Sequence, residues 1–252
     1  MKTKFFALLS FLVGVISCGK EEALEQKTAG VTRKAPIEAI SLSRPGNGSN
    51  PFDSIGILHN AGIEACQKFL AKSKDTSFRK ASSFLYDFYK RSGHKPGPEL
   101  KTLPAYFKNM KDSYRNLLAN AELSPSAKKI SMELFDTLAA INSLDYVILK
   151  RKILKIEEKI PQLSVSSREK KLLLTACSVA RHSAYLWFNQ PVKLMTLGKF
   201  WDTVKAVFGV VNVVIADVWA TYVTVTVGPI IEDPIYTIGI CSVGTALFFG
   251  LC

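Results

Sequence analysis

Apolar residues recur at intervals of three and four positions along most of residues 51–190, the spacing that places side chains on one face of an α-helix. The stripes are separated by short segments rich in Gly, Pro, Ser and Asn, such as residues 93–98 and 142–143. No self-similar period of solenoid length is apparent. The sequence therefore predicts a mainly α fold, a bundle-like array of five or six helices.

Capping residues locate several of the helix starts. Ser124 followed by Pro125 is typical of an N-cap and first helical position, and Ser166 with Glu169 matches a capping box. Asp53 or Ser54 can cap the first helix. The expected helices cover about residues 53–70, 76–91, 103–121, 125–141, 144–160 and 166–187.

Positive charge is concentrated in this helical part. Residues 51–202 carry 25 Lys and Arg against 14 Asp and Glu, which gives +11 of the total of +12 for the 252-residue chain. Such a field favours anionic partners, including envelope lipids or glycans and nucleic acid. Around Lys150 the bases alternate with Glu157 and Glu158, as on a solvated face, and we expect no nucleic-acid binding.

The first eighteen residues have the composition of an export signal. Two lysines precede an apolar run at residues 5–16, which is short for a membrane span because a span needs roughly 20 residues. The run leads into Val15-Ile16-Ser17-Cys18, which resembles the lipobox of bacterial lipoproteins, with Val where Leu is more usual. The resemblance implies a signal peptide at 1–17 and acylation of Cys18, for example by palmitate. An ordinary secretory signal with a chance cysteine is the alternative.

Residues 18–50 read as a flexible tether, because they hold several Pro, Gly, Ser and Thr residues and little apolar periodicity. At their start, Lys20-Glu21-Glu22 resembles the Lys-plus-acidic export signal of surface lipoproteins in Bacteroidetes. That resemblance implies a lipid-anchored protein of the outer membrane. Exposure on the cell surface and a periplasmic position both remain open.

A second resemblance begins where the tether ends. The stretch Asn50-Pro51-Phe52-Asp53-Ser54-Ile55-Gly56-Ile57-Leu58-His59-Asn60 resembles the opening motif of uncharacterised Bacteroidetes lipoproteins and secreted proteins. Residues 180–187 resemble a later helix of the same proteins, with His182 where they have Tyr. The resemblance covers positions 50–190 loosely. It implies origin and architecture and no particular activity.

Residues 203–252 form an apolar C-terminal segment, and its last eighteen residues carry no charge. A run of that length is at the threshold for a membrane span. Asp217, however, would cost about 3 kcal/mol in hydrocarbon, and residues 223–227 alternate like a strand. We expect this segment to pack on the basic helical domain, residues 51–202, as a helix or a strand. Insertion into a bilayer is the alternative.

Motifs for catalysis or metal binding are missing from the sequence. His59, His94 and His182 lie on separate segments, without an HExxH or CxxC pattern. We expect His59 to be a capping or buried, hydrogen-bonded residue of the first helix, and a metal or hydrolytic site with Asp53 is the alternative. Packing is expected for His182 and exposure for His94. We predict no catalytic, cofactor-binding or metal-ligating residue. The remaining cysteines are buried thiols or disulfide partners: Cys66, Cys177, Cys241 and Cys252.

These patterns together predict a lipid-anchored exported bacterial protein, not an enzyme, with a binding or structural role at the cell envelope. Its partner is the membrane, reached through the N-terminal lipid, with anionic envelope lipids or glycans as further candidates. The alternative is a membrane-active or membrane-embedded protein that inserts its apolar C-terminal segment.

Overall fold

The structure, a computed structural model, describes residues 42–96, 110–189, 199–226 and 235–248. Within these ranges the chain forms eight α-helices, one short 3₁₀ turn at Ile160–Gln162 and no strand, which confirms the predicted mainly α fold. The helices are α1 Asp53–Leu70, α2 Phe78–Arg91, α3 Met110–Asn120, α4 Pro125–Ala139, α5 Tyr146–Glu157, α6 Ser167–Asn189, α7 Lys199–Thr226 and α8 Ile235–Phe248.

Side-chain caps begin several of these helices. The predicted cap at Ser124 is confirmed, since its hydroxyl accepts the backbone N–H of Ala127 at 3.3 Å. The predicted capping box is confirmed as well, since Ser166 Oγ accepts the N–H of Glu169 at 3.2 Å. The prediction for α1 is wrong. Its N-cap is Phe52, which makes no side-chain cap bond, and Asp53 is already helical.

Helix α2 begins at Phe78, after the N-cap Ser77, and so starts later than predicted. Residues 103–109 of the predicted third helix lie outside the described residues, and α3 is described from Met110. The sequence leaves a helix or a strand open for residues 223–227; the structure has a helix, because α7 continues through Thr226, and residue 227 lies outside the described residues. The alternating Val and Thr extend a helix that is already buried on all sides, and this context overrides their β propensity.

Helices α6 and α7 form the centre of the molecule. Helix α6 packs against α1, α4, α5 and α7, and α7 packs against α3, α4, α6 and α8. Every side chain from residue 209 to residue 222 is buried, as expected for a helix that is apolar on all its faces. Helix α8 covers α1, α2 and α7. No described helix combines the length and apolarity that a membrane span requires.

Tyr89 lies where α1, α2 and α8 meet. Its buried ring on α2 lies between Gly62 of α1 and Gly239 of α8. A Cβ at position 239 would stand 2.6 Å from the phenolic oxygen, and one at position 62 would overlap the same oxygen. Glycine at both positions therefore allows the three helices to pack around one aromatic side chain.

Residues 44–52, hereafter the entry segment, lead into α1 and differ from the predicted tether. Asn50 is buried, and its backbone N–H donates to the carbonyl of Asn47 at 3.0 Å, which closes a turn. The segment lies against α5 and α6 through side chains described below. Residues 1–41, which include the predicted signal peptide and Cys18, lie outside the described residues.

Candidate functional site

Arg181 is the centre of a buried polar cluster between α1, α5 and α6. Its guanidinium donates to both oxygens of Glu157 at 3.1 Å and to Asp53 Oδ1 at 2.5 Å. It also donates to the carbonyl of Pro45 in the entry segment. Burial alone would lower the pKa of Arg181, but the two carboxylates raise it above its ordinary value. A fully charged guanidinium held by two carboxylates is therefore the core of this cluster.

Glu157 joins the entry segment to the same cluster. It accepts hydrogen bonds from the side-chain amides of Asn47, at 2.9 Å, and of Asn50. Asn50 also donates to the carbonyl of Leu174 on α6 at 2.8 Å. Glu157 is buried, so its prediction as part of a solvated face is wrong. Its position at the end of α5 turns it towards Arg181, whereas Glu158 is exposed.

Asp53 occupies the first position of α1 and faces α6. Its carboxylate accepts the backbone N–H of Asn47 at 3.0 Å and the hydroxyl of Ser178 at 3.3 Å, and it lies 3.3 Å from His182 Nε2. Burial alone would raise the pKa of Asp53. The hydrogen bonds with His182 and Asn47 and the charge of Arg181 hold that pKa well below its usual range. Asp53 is thus an ionised structural partner of α6.

Lys150 completes the cluster from α5. Its side chain is buried, and Nζ donates to the carbonyl of Arg44 at 2.5 Å and to that of Gly46 at 3.0 Å. Burial and the nearby charge of Arg181 lower the pKa of this amine. The ammonium group therefore connects α5 to two backbone carbonyls of the entry segment through charged hydrogen bonds.

A second buried cluster surrounds Asp217 on α7. Oδ2 accepts the hydroxyls of Ser183 at 2.5 Å and Ser242 at 3.1 Å, and it lies 3.4 Å from His59 Nε2. These partners come from α6, α8 and α1, so one carboxylate links four helices. The side chains of His59 and Asp217 are both fully buried. His59 Nδ1 lies 3.0 Å from Asn60 Oδ1, and the Asn60 amide donates to the carbonyl of His182 at 2.8 Å.

The geometry of this second cluster differs from that of a hydrolytic triad. In a triad the hydroxyl bonds to the imidazole and the imidazole bonds to the carboxylate. Here the Ser183 hydroxyl donates directly to the carboxylate of Asp217, and His59 lies against the same carboxylate oxygen, so the imidazole does not stand between hydroxyl and carboxylate. The alternative pairing of His59 with Asp53 is wrong, because Asp53 contacts Arg181 on α6 and His59 lies against Asp217 on α7. The expected buried, hydrogen-bonded His59 is confirmed.

The remaining histidines and the described cysteines lie within the body or are partly covered by it. His182 is packed, as expected, while His94 is half-buried and not exposed. Burial raises the pKa of the Cys177 and Cys241 thiols well above the usual value. Cys66, Cys177 and Cys241 are all buried thiols outside any disulfide; Cys252 lies beyond the described residues. In the described part of the chain, no group of three or more His, Cys, Asp or Glu side chains could hold a metal ion.

Sequence reasoning missed Arg181, Glu157 and Lys150 as one cluster. A signal was present, because Arg181 is the one Lys, Arg, Asp or Glu residue in the stretch 172–187 of α6, and an arginine among apolar residues requires a partner. The sequence did not show which of the many acidic residues it would meet.

Comparison of the chain with protein-family models, with curated proteins and with solved structures gives no match.

Proposed function

We propose that this chain is a lipid-anchored exported bacterial protein that has a binding or structural role at the cell envelope and is not an enzyme. The anchor is a fatty acyl group on Cys18, and the protein belongs to the outer membrane. The observation that carries the proposal is the order of the first eighteen residues, in which a basic start and a short apolar run lead to Val15-Ile16-Ser17-Cys18.

The entry segment supports this proposal from the structural side. An anchored body is held to its membrane through the chain that enters it, and here that chain is fixed to the body at several points. Arg181, Lys150 and Glu157 bind backbone or side-chain groups of residues 44–50. Charged hydrogen bonds of this kind are stronger than neutral ones. They therefore suit the place where the anchored chain is attached to the helical body.

The two buried clusters favour a non-enzymatic role. Asp53, Glu157 and Arg181 bind one another and the entry segment, and Asp217 binds three neighbouring helices. A catalytic group must reach a substrate, and these side chains are buried or turned inwards. Their contacts serve cohesion between helices.

Insertion of residues 204–252 into a bilayer is the less favoured function. Removing α7 and α8 from the body would separate Asp217 from His59 and Ser183 and would expose the apolar sides of α1 and α6. Deletion of residues 235–252 discriminates the two functions. If residues 235–252 belong to the core, their deletion unfolds the protein. If they insert into a bilayer, their deletion leaves a folded body that has lost its membrane activity.

Metabolic labelling with a palmitate analogue tests the anchor. Wild type is expected to be labelled and Cys18→Ala is not, whereas Ser10→Ala, a change in the same leader, keeps the label. Equal labelling of wild type and Cys18→Ala would refute the proposal. Protease treatment of intact cells then distinguishes a surface-exposed body from a periplasmic one.

A further inference from the structure

The solvent face of α5 combines unpaired cations with exposed aliphatic side chains. Arg151, Lys152 and Lys155 are exposed and form no ion pair within the described residues. One turn earlier, Val147 is 36% exposed and Ile148 is 49% exposed. On an ordinary solvated helix such aliphatic residues would be turned inwards, so this face has the composition of an interfacial surface.

A cleft extends this face towards α4. It has a volume of about 700 Å³ and is lined by Met132, Thr137, Ala140 and the cations Lys129 and Lys152. The two acidic residues at its edge are already used: Glu133 pairs with Lys159 at 2.6 Å and Asp136 pairs with Arg115 at 2.7 Å. The positive charge of Lys129 and Lys152 is therefore left for a partner outside the described chain.

The entry segment reaches the body beside this same helix. Lys150 of α5 binds the carbonyls of Arg44 and Gly46, so the chain that precedes residue 44 leaves the body next to α5. Successive residues of a helix are about 100° apart, so Arg151 lies on the flank adjacent to Lys150. The entry segment therefore meets the body at the helix that carries these exposed cations.

We infer that the exposed face of α5 (Val147, Ile148, Arg151, Lys152 and Lys155) is a docking surface for the anionic headgroups of the membrane that carries the anchor. The inference rests on the proposed function. Cations attract lipid phosphates, and the two aliphatic side chains enter the boundary between headgroups and acyl chains. Glu157, the acidic residue closest in sequence to these cations, is buried against Arg181, and the exposed Glu158 follows it at the end of the helix.

Vesicle binding by the full chain carrying Cys18→Ala tests this surface without the acyl group. The probes are vesicles of phosphatidylcholine alone and of phosphatidylcholine mixed with phosphatidylglycerol, separated by sedimentation. We expect binding to the mixed vesicles, weakened by salt as the screening length falls from about 10 Å at 0.1 M to about 3 Å at 1 M. The leader is common to all variants, so differences between them report on the body.

Two matched pairs of variants locate the surface. Replacement of Arg151, Lys152 and Lys155 by Gln should weaken binding about tenfold or more, since each cation contributes to attraction near an anionic surface. The same replacement of Lys72, Lys74 and Arg79, exposed residues beyond the far end of α1, should leave it within about twofold. Ile148→Ser should weaken binding, and Ile57→Ser, at an isoleucine that is 56% exposed on α1, should not. Circular dichroism confirms that each variant is folded.

Three outcomes would overturn the inference: no binding to the mixed vesicles, equal loss in both triple variants, or stronger capture by an added RNA competitor than by vesicles. Failure of the palmitate labelling alone would instead remove the anchor and leave the α5 surface standing. Successful labelling with no vesicle binding would retain the anchor and reject the surface.

Discussion

The carboxylate of Asp53 and the guanidinium of Arg181 meet at 2.5 Å although 128 residues separate them in the chain. The contact fixes the start of α1 against the middle of α6, and Glu157 binds the other edge of the same guanidinium. Because the arginine side chain is fully buried, the folded state depends on the whole cluster and not on one exposed ion pair.

Arg181→Met should destabilise the protein by about 3–5 kcal/mol, since it leaves two carboxylates buried without their cation. Urea unfolding followed by circular dichroism measures the loss. Arg115→Met is the matched control, because Arg115 pairs with Asp136 where the two side chains are 60% and 46% exposed; its cost should stay below about 1 kcal/mol. Equal losses in the free energy of unfolding for the two variants would show that the buried cluster stabilises the fold no more than an exposed ion pair does.

Glu169 should make stability fall in acid. Its carboxylate accepts the backbone N–H of Ser124 at 2.6 Å and that of Ser166 at 2.9 Å, and these bonds lower its pKa from 4.5 to about 2. Since the folded pKa is the lower one, the stabilisation is present above pH 4.5 and is lost as the pH falls towards 2. Thermal melts should therefore show a shallower acid decline for Glu169→Gln than for wild type. Glu122→Gln, at an exposed carboxyl nearby, should keep the wild-type slope.

Gly62→Ala should destabilise the protein by about 1–3 kcal/mol, because the added methyl group overlaps Tyr89 in a packed core. Gly48→Ala, where no atom lies within 4 Å of the added carbon, is the control and should change stability by less than about 0.5 kcal/mol. In a Tyr89→Phe background the penalty at position 62 should shrink, since the phenolic oxygen is gone. A double-mutant cycle measures that coupling, and purely additive costs would contradict the steric explanation.

Ser183→Ala should cost about 1–3 kcal/mol, because it removes the shortest hydrogen bond to the buried Asp217 carboxylate. Thr245→Val is a matched test on α8. Thr245 is also buried, and its hydroxyl has no hydrogen-bond partner in the described part of the chain, so the change should be neutral or stabilising. Chemical denaturation of the two variants decides the point. A larger cost at position 245 would contradict the assigned role of Asp217.

The local features of the fold were predictable from sequence, and the long-range pairings were not. Ser124-Pro125 and the Ser166 and Glu169 pair act through bonds between near neighbours, so their spacing was sufficient. Asp53 was expected to cap α1, yet its carboxylate serves Arg181, a residue no local rule connects with it. Glu157 and Lys150 look like part of a solvated basic helix until the entry segment is folded onto them.

The strand-like alternation at 223–227 shows the same limit. Its Val and Thr alternate with the period of a strand, but α7 is surrounded by four helices and remains helical through Thr226. Asp217 lies in the middle of this buried helix and has polar partners there. Its partners, His59, Ser183 and Ser242, come from three distant helices and could not be chosen without the structure.

Under the proposed export, in which the chain is translocated from its N-terminus, these pairings have a further consequence. Asp53 binds Arg181, which is 128 residues later in the chain. The hydroxyl of Ser82 lies 2.6 Å from that of Tyr236, which is 154 residues later. A polypeptide translocated from its N-terminus therefore presents α1 and α2 long before their contacts exist. Distant contacts of this kind slow folding, so the leading half stays open to chaperones until the last helix arrives.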